Sequence, residues 1–348
     1  MSHGGDIYRN KVNIDFSVNL NPLGIRDEMK TALMHSLDRC EEYPDQDQRI
    51  IREKIATEEG LDYGNVLAGA GASELIPAII RSIHPDNALI FAPSYTGYGR
   101  ALDGAGVDIC YHNTLKESDF DLTMEDLSSI TYKTGLVFLC NPINPTGKNI
   151  KADVLEEAIR KADSAGARVL LDESFYLMSE RCRNSYRSQS IDLIKKYDNL
   201  YIIRSFTKLF NVPGIRAGVV FASHEAIKEI AAQLPEWNLP VTSEAAIKAG
   251  YDLLKDRKFL RDTLDAIKDG RDYLTGSLKA LGLRVYDSDT SFVLFEGPSG
   301  LDEKLLDKGI LIRECSDYEG LGEGFYRIAV RNENDNKELI ERIGENIV

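Results

Sequence analysis

The sequence is poor in the residues that mark metal, redox and membrane proteins. Its five cysteines, Cys40, Cys110, Cys140, Cys182 and Cys315, are odd in number and scattered. No pair has CxxC spacing, so neither a zinc site nor a redox motif is indicated, and most of them read as small core residues. The five histidines, His3, His35, His84, His112 and His224, are equally dispersed, and HExxH is missing. No metal is expected. No apolar run approaches roughly 18 residues, the length of a membrane span. The opening MSHGGDIYRNK lacks the apolar stretch of a signal peptide, so a reducing cytoplasm is the expected setting. Positive charge is also short: 42 Lys and Arg face 56 Asp and Glu, a net charge of −14. Such a surface repels phosphate backbones and anionic lipid, so neither nucleic acid nor a membrane is an expected partner. Any pocket for an anion has to be built locally against that field.

What is there is ordinary soluble protein: 43% hydrophobic and 28% charged residues, without repeats or low-complexity tracts. At roughly 150 residues per domain, 348 residues suggest about two domains. From about residue 65, short apolar runs alternate with longer amphipathic stretches. Strands are expected at 66–68, 88–91, 107–111, 136–140, 168–171, 200–204 and 217–221, with helical patterns such as 73–83 and 152–165 between them. Several of the runs are continuously apolar, as in strands covered on both faces. The pattern predicts an α/β domain with a mostly parallel sheet flanked by helices. Beyond Leu234 a long charged helical stretch, 243–281, precedes strand-like 292–295 and 326–330 and a final helix from about Asn336. The division expected is an irregular segment at 1–25, a large domain at 26–234 and a smaller α+β domain at 235–348.

In open α/β sheets, ligands gather beyond the carboxyl ends of the strands. Four segments there carry chemistry. Gly69-Ala70-Gly71-Ala72-Ser73-Glu74 opens a helix, and a glycine-rich turn at a helix N-terminus suits a phosphate. Glu74 stands where a dinucleotide fingerprint needs glycine, and no Gly-Lys-Ser/Thr follows, so neither nucleotide motif is present; a plain tight turn is the other reading. Asn141-Pro142-Ile143-Asn144-Pro145-Thr146-Gly147 holds the amide of Asn144 on a rigid backbone. Asp172 ends a strongly apolar strand, where an unpaired carboxylate is costly, so it needs a cation, an N–H or a helix to cap. Ser205-Phe206-Thr207-Lys208-Leu209-Phe210, followed by Gly214-Ile215-Arg216, clusters hydroxyls, an arginine and a lysine. A lysine in an apolar setting can serve as an amine nucleophile.

A phosphate cradle, a lysine amine and a buried carboxylate together meet the needs of pyridoxal phosphate. That cofactor forms a Schiff base with lysine, and its ring nitrogen pairs with an acid. Tyr95, after another strand, could stack on the ring face, and Asn144 would reach the ring's phenolic oxygen. With the motifs GAGASE, PSY, NPINPTG, DESF, SFTKLF and GIRAG in this order, the chain resembles the class I/II aminotransferase family of fold type I over nearly its whole length. The resemblance implies that Lys208 is the Schiff-base lysine, Asp172 the ring-nitrogen partner and Tyr95 the stacking residue. It implies that Ala72, Ser73, Ser205, Thr207 and Arg216 hold the cofactor phosphate. It also implies a homodimer in which Tyr43 is lent to the neighbour's phosphate site.

Two subgroups of that family, both acting on phosphorylated amines, are the most similar: histidinol-phosphate aminotransferases and the threonine-phosphate decarboxylases of cobalamin biosynthesis. The segment His3-Gly4-Gly5, the run from Asp15 to Gly24, and the segments around Arg313 and from Tyr326 to Arg331 resemble the decarboxylases. So does Phe175, where aminotransferases commonly carry a tyrosine. A substrate of this kind is expected to meet Arg313, Arg327, His3, Asn21 and Asn144. The opposite class of reading, the sensor domain of a transcription regulator, is disfavoured by the acidic charge and by the lack of room for a DNA-binding motif before residue 13.

Overall fold

The computed structural model describes residues 4–347. All seven strands expected before residue 234 form one sheet. Its order is Val66–Gly69, Gly218–Phe221, Leu200–Ser205, Arg168–Asp172, Leu136–Cys140, Asn87–Ala92 and Asp108–Asn113. Neighbours run parallel except at Gly218–Phe221, which is antiparallel to both of its partners. The sheet is therefore mixed, and the reason is local. Only a loop with the short turn Pro213–Ile215 links Leu200–Ser205 to that strand. A parallel return would need a helical crossover. Alternate residues feed two apolar layers: Leu89, Val137, Leu139, Val169, Leu171 and Ile202 on one face, and Ala88, Ile90, Phe138, Leu170 and Ile203 on the other.

The stretch 243–281 is two helices, Val241–Leu254 and Arg257–Ala280. The break falls at Asp256, whose carboxylate accepts from the N–H groups of Lys258 and Phe259 and starts the second helix afresh. Side chains as far as Ile267 join the core of the large sheet, and a second core begins at Leu274. The chain thus changes core inside the second helix. The second core lies under a three-stranded antiparallel sheet, ordered Arg313–Glu314, Phe325–Ala329, Phe292–Glu296. The final helix is Glu333–Asn346, capped by Asn332. The N-terminal segment is not irregular throughout. Ile14–Asp15 pairs in parallel with Ile310–Leu311, and Phe16 enters the second core. Cys140, Cys182 and Cys315 are buried, whereas Cys40 and Cys110 are exposed. No helix among the described residues is long and apolar enough to cross a membrane.

Candidate active site

A cavity of about 490 Å³ opens where the large sheet's strand ends meet the second core. Its floor starts with Asp172, the last residue of its strand and only 5% exposed. Its carboxylate is fixed by two donors: the Tyr98 hydroxyl to Oδ2 at 2.7 Å and the Ser174 N–H to Oδ1 at 2.8 Å. Burial, then the charge of Asp172, pushes the Tyr98 hydroxyl well above the usual tyrosine range. It therefore stays protonated and keeps donating. Tyr95 meets the Tyr98 ring edge-on at 5.4 Å, and a Cβ at Gly97 would run into the Tyr95 ring.

Behind this floor Arg204, on the adjacent strand, is completely buried between two carboxylates. Its Nη1 meets Glu59 at 2.5 Å, and its Nη2 meets Glu173 at 3.0 Å. Tyr251 donates to Glu59 at 2.8 Å and Ser188 to Glu173 at 2.7 Å. Glu173 directly follows Asp172, so this cluster ties down the backbone that presents the site carboxylate.

Lys208 lies half-buried after strand Leu200–Ser205. Burial, reinforced by the charges of Arg216 and Arg327 and opposed by Asp172, lowers its ammonium to about 8. Beside it the hydroxyls of Ser205 and Thr207 are 2.7 Å apart. Arg216 adopts a left-handed backbone (φ +59°), donates to Pro213 O at 2.8 Å and reaches Ser73 Oγ at 2.8 Å. Ser73 sits in the first turn of helix Ala72–Ile83, whose positive end borders the cavity. Gly71 has φ +84°, and a Cβ there would stand 2.8 Å from Arg216 Nη2. Hydroxyls, an arginine and a helix start thus converge where no side chain intrudes, which fits a phosphate.

The opposite wall comes from the second core and the N-terminal segment. Arg327 is 6% exposed. It donates to Asn144 Oδ1, to Ser17 O at 2.7 Å and to Tyr318 Oη at 3.3 Å. Its Nε and the Oδ1 of Asn19 are buried without a hydrogen-bond partner among the described residues. Arg313 is 3% exposed and holds Asp317. Because Asn144 accepts through Oδ1, its Nδ2 is the end left for a ligand. Phe175 lines the cavity and packs edge-on against Phe292 at 5.0 Å.

Lys208, Asp172, Tyr95, Ala72, Ser73, Asn144, Ser205, Thr207, Arg216, Arg313 and Arg327 all line this one cavity. Two expected residues do not. Asn21 is buried elsewhere, donating to Leu209 O at 2.9 Å and Thr263 Oγ1 at 3.4 Å, and accepting from Leu23 N at 2.9 Å. It braces the chain, and Asn19 takes the cavity position instead. Tyr43 is 81% exposed, outside its own chain's cavity, with its ring 4.9 Å from that of Trp237. His3 lies outside the described residues. Sequence reasoning missed Tyr98, Ser17, Asn19 and Tyr318. For Tyr98 a signal existed, since it stands three residues beyond Tyr95 in the first turn of helix Gly97–Ala105.

The fold and these groups define a pyridoxal-phosphate-dependent enzyme. The model of the family "Aminotransferase class I and II" matches residues 11–343, and the chain belongs to that family. A relative from Caldanaerobacter subterraneus, provisionally named a threonine-phosphate decarboxylase, is 34% identical, covering 98% of this chain and 92% of that protein. The threonine-phosphate decarboxylase of Salmonella typhimurium is 30% identical over 94% of this chain and 89% of its own. Among solved structures, the histidinol-phosphate aminotransferase of Clostridium acetobutylicum superposes with a TM-score of 0.86 at 28% identity, covering 96% of this chain and 98% of that one.

Proposed function

We propose that the enzyme decarboxylates a phosphorylated amino acid, L-threonine O-3-phosphate. The observation that carries this reading is the wall opposite Lys208. There the segments that resemble the decarboxylases in sequence are bonded to one another: Arg327 to Ser17 O, Ala329 N to Phe16 O at 2.8 Å, and Arg331 Nη1 to Asp15 O at 3.0 Å. Two buried arginines on that wall match a substrate carrying both a carboxylate and a phosphate.

Pyridoxal phosphate, when bound, supplies an electron sink for the bond that breaks at the substrate's α-carbon. Ser73, Ser205, Thr207, Arg216 and the N–H of Ala72 would hold its phosphate. Tyr95 would cover the ring face, Asn144 Nδ2 would meet the phenolic oxygen, and Asp172 would keep the ring nitrogen protonated. Lys208 Nζ carries the proton: it delivers one to the α-carbon after the carbon–carboxylate bond has broken and carbon dioxide has left. Arg327 orients the carboxylate and Arg313 the phosphate, and this orientation selects which bond is lost. The chain acts as a homodimer in which the exposed Tyr43 reaches the neighbour's phosphate site.

The second reading is transamination of histidinol phosphate, supported by the likeness to the Clostridium enzyme. One product assay separates the two. With threonine phosphate, carbon dioxide and aminopropanol phosphate are expected in equal amounts. Turnover only with histidinol phosphate and 2-oxoglutarate would replace the first reading by the second.

A further inference from the structure

Arg313 and Arg327 stand directly opposite each other in the antiparallel ladder of the small sheet, and both line the cavity. Like charges in that register repel, and the two are steadied differently. The bonds of Arg327 go to neutral acceptors: Ser17 O, Asn144 Oδ1 and Tyr318 Oη. Arg313 holds a carboxylate. Its Nη2 meets both oxygens of Asp317, at 2.7 and 2.8 Å, while its Nη1 donates to Glu314 O at 2.6 Å. The Asp317 side chain is a quarter exposed (25%) against 4% for that of Arg313. The carboxylate therefore comes from the solvent side onto a guanidinium fixed in the cavity wall. It also borders a small adjoining cleft with Arg100, Tyr111 and Glu319.

We infer that Asp317 is an internal competitor for the substrate's phosphate at Arg313. This rests on the reading above that Arg313 receives that phosphate. Asp317 takes up Nη2 and part of the charge that a phosphate would meet at Arg313. The chemical logic lies in the product. Loss of carbon dioxide leaves the phosphate on the amine, so every contact to it persists through the reaction. Contacts equally strong in the ground and transition states do not raise kcat, and contacts equally strong in the product slow its release. A carboxylate paired with the same arginine weakens both complexes and competes for Arg313 as the product leaves. Asp317 acts through Arg313, so it is a positioning residue that sets affinity.

The test uses the holoenzyme, its cofactor phosphate site filled, titrated calorimetrically with inorganic phosphate and with acetate. Asp317→Asn should bind phosphate tighter by on the order of tenfold. The logarithmic gain for acetate should be about half as large, because a monoanion feels the removed charge half as strongly as a dianion. Asp317→Ala should show the same sign, and adding Arg313→Gln should erase the gain. In turnover, the KM for threonine phosphate and the inhibition constant of its product should fall together. Unchanged or weaker phosphate binding in Asp317→Asn would overturn the inference and make Asp317 a mere brace for Arg313. A gain that survives Arg313→Gln would overturn it too. Failure of threonine phosphate as a substrate would sink only the substrate reading, since the phosphate and acetate comparison stands without turnover.

Discussion

The two walls of the cavity are held by different means. The floor, with Asp172, Ser205 and Lys208, grows from adjacent strands of a continuous ladder and rests on the wholly buried Arg204 cluster. The opposite wall depends on a few bonds between the chain's two ends, such as Arg327 to Ser17 O, 310 positions apart. The floor is preorganised by the core itself and suits a cofactor that stays. The other wall can respond to a substrate that comes and goes, because a few hydrogen bonds, a parallel pairing of two residues on each side and the single core side chain Phe16 dock the N-terminal segment.

The comparison breaks most forcefully at Arg204. Two carboxylates surround one guanidinium there, and burial, partly offset by Arg204, raises the acid of Glu59 above its ordinary range. Arg204→Met would strand both carboxylates and should cost about 3–5 kcal/mol, read as a lower urea midpoint. Arg327→Gln probes the other wall. It should raise the KM for the amino-acid substrate by about a hundredfold, in the range for a buried charged hydrogen bond, and leave the affinity for pyridoxal phosphate within about threefold. A large loss of cofactor affinity would show that the walls are not separable. The smallest effect concerns pH. The ammonium of Lys208 is lowered to about 8, so its reactive neutral form grows as pH rises to that value and then levels off. Cofactor uptake by the apoenzyme should rise about tenfold from pH 6 to 7 and flatten above about 8. A rise continuing to pH 10 would indicate an ordinary lysine.

This division also explains what the sequence revealed. Every floor residue ends a strand or follows one within a few positions, so a strand pattern and a short motif locate it together. Lys208 three residues after Ser205 is of that kind. The opposite wall is assembled from distant pieces with no local signature. Asn21 and Asn19 lie two residues apart in the same Asn-rich run, and only tertiary packing decides that Asn21 braces Leu209 O while Asn19 faces the cavity. The antiparallel course of Gly218–Phe221 was hidden for a related reason, since a strand's apolar pattern carries no direction. Tyr98 was passed over because a buried tyrosine looks like core until its hydroxyl is seen on Asp172.

The central claim is that Lys208 is the amine that binds the cofactor across from Asp172. Borohydride reduction of the loaded enzyme, followed by proteolysis and mass spectrometry, tests it most directly. The phosphopyridoxyl mass should sit on the peptide containing Lys208, and Lys208→Ala should carry none and show no turnover. Label on a different lysine, or turnover without Lys208, would contradict the account.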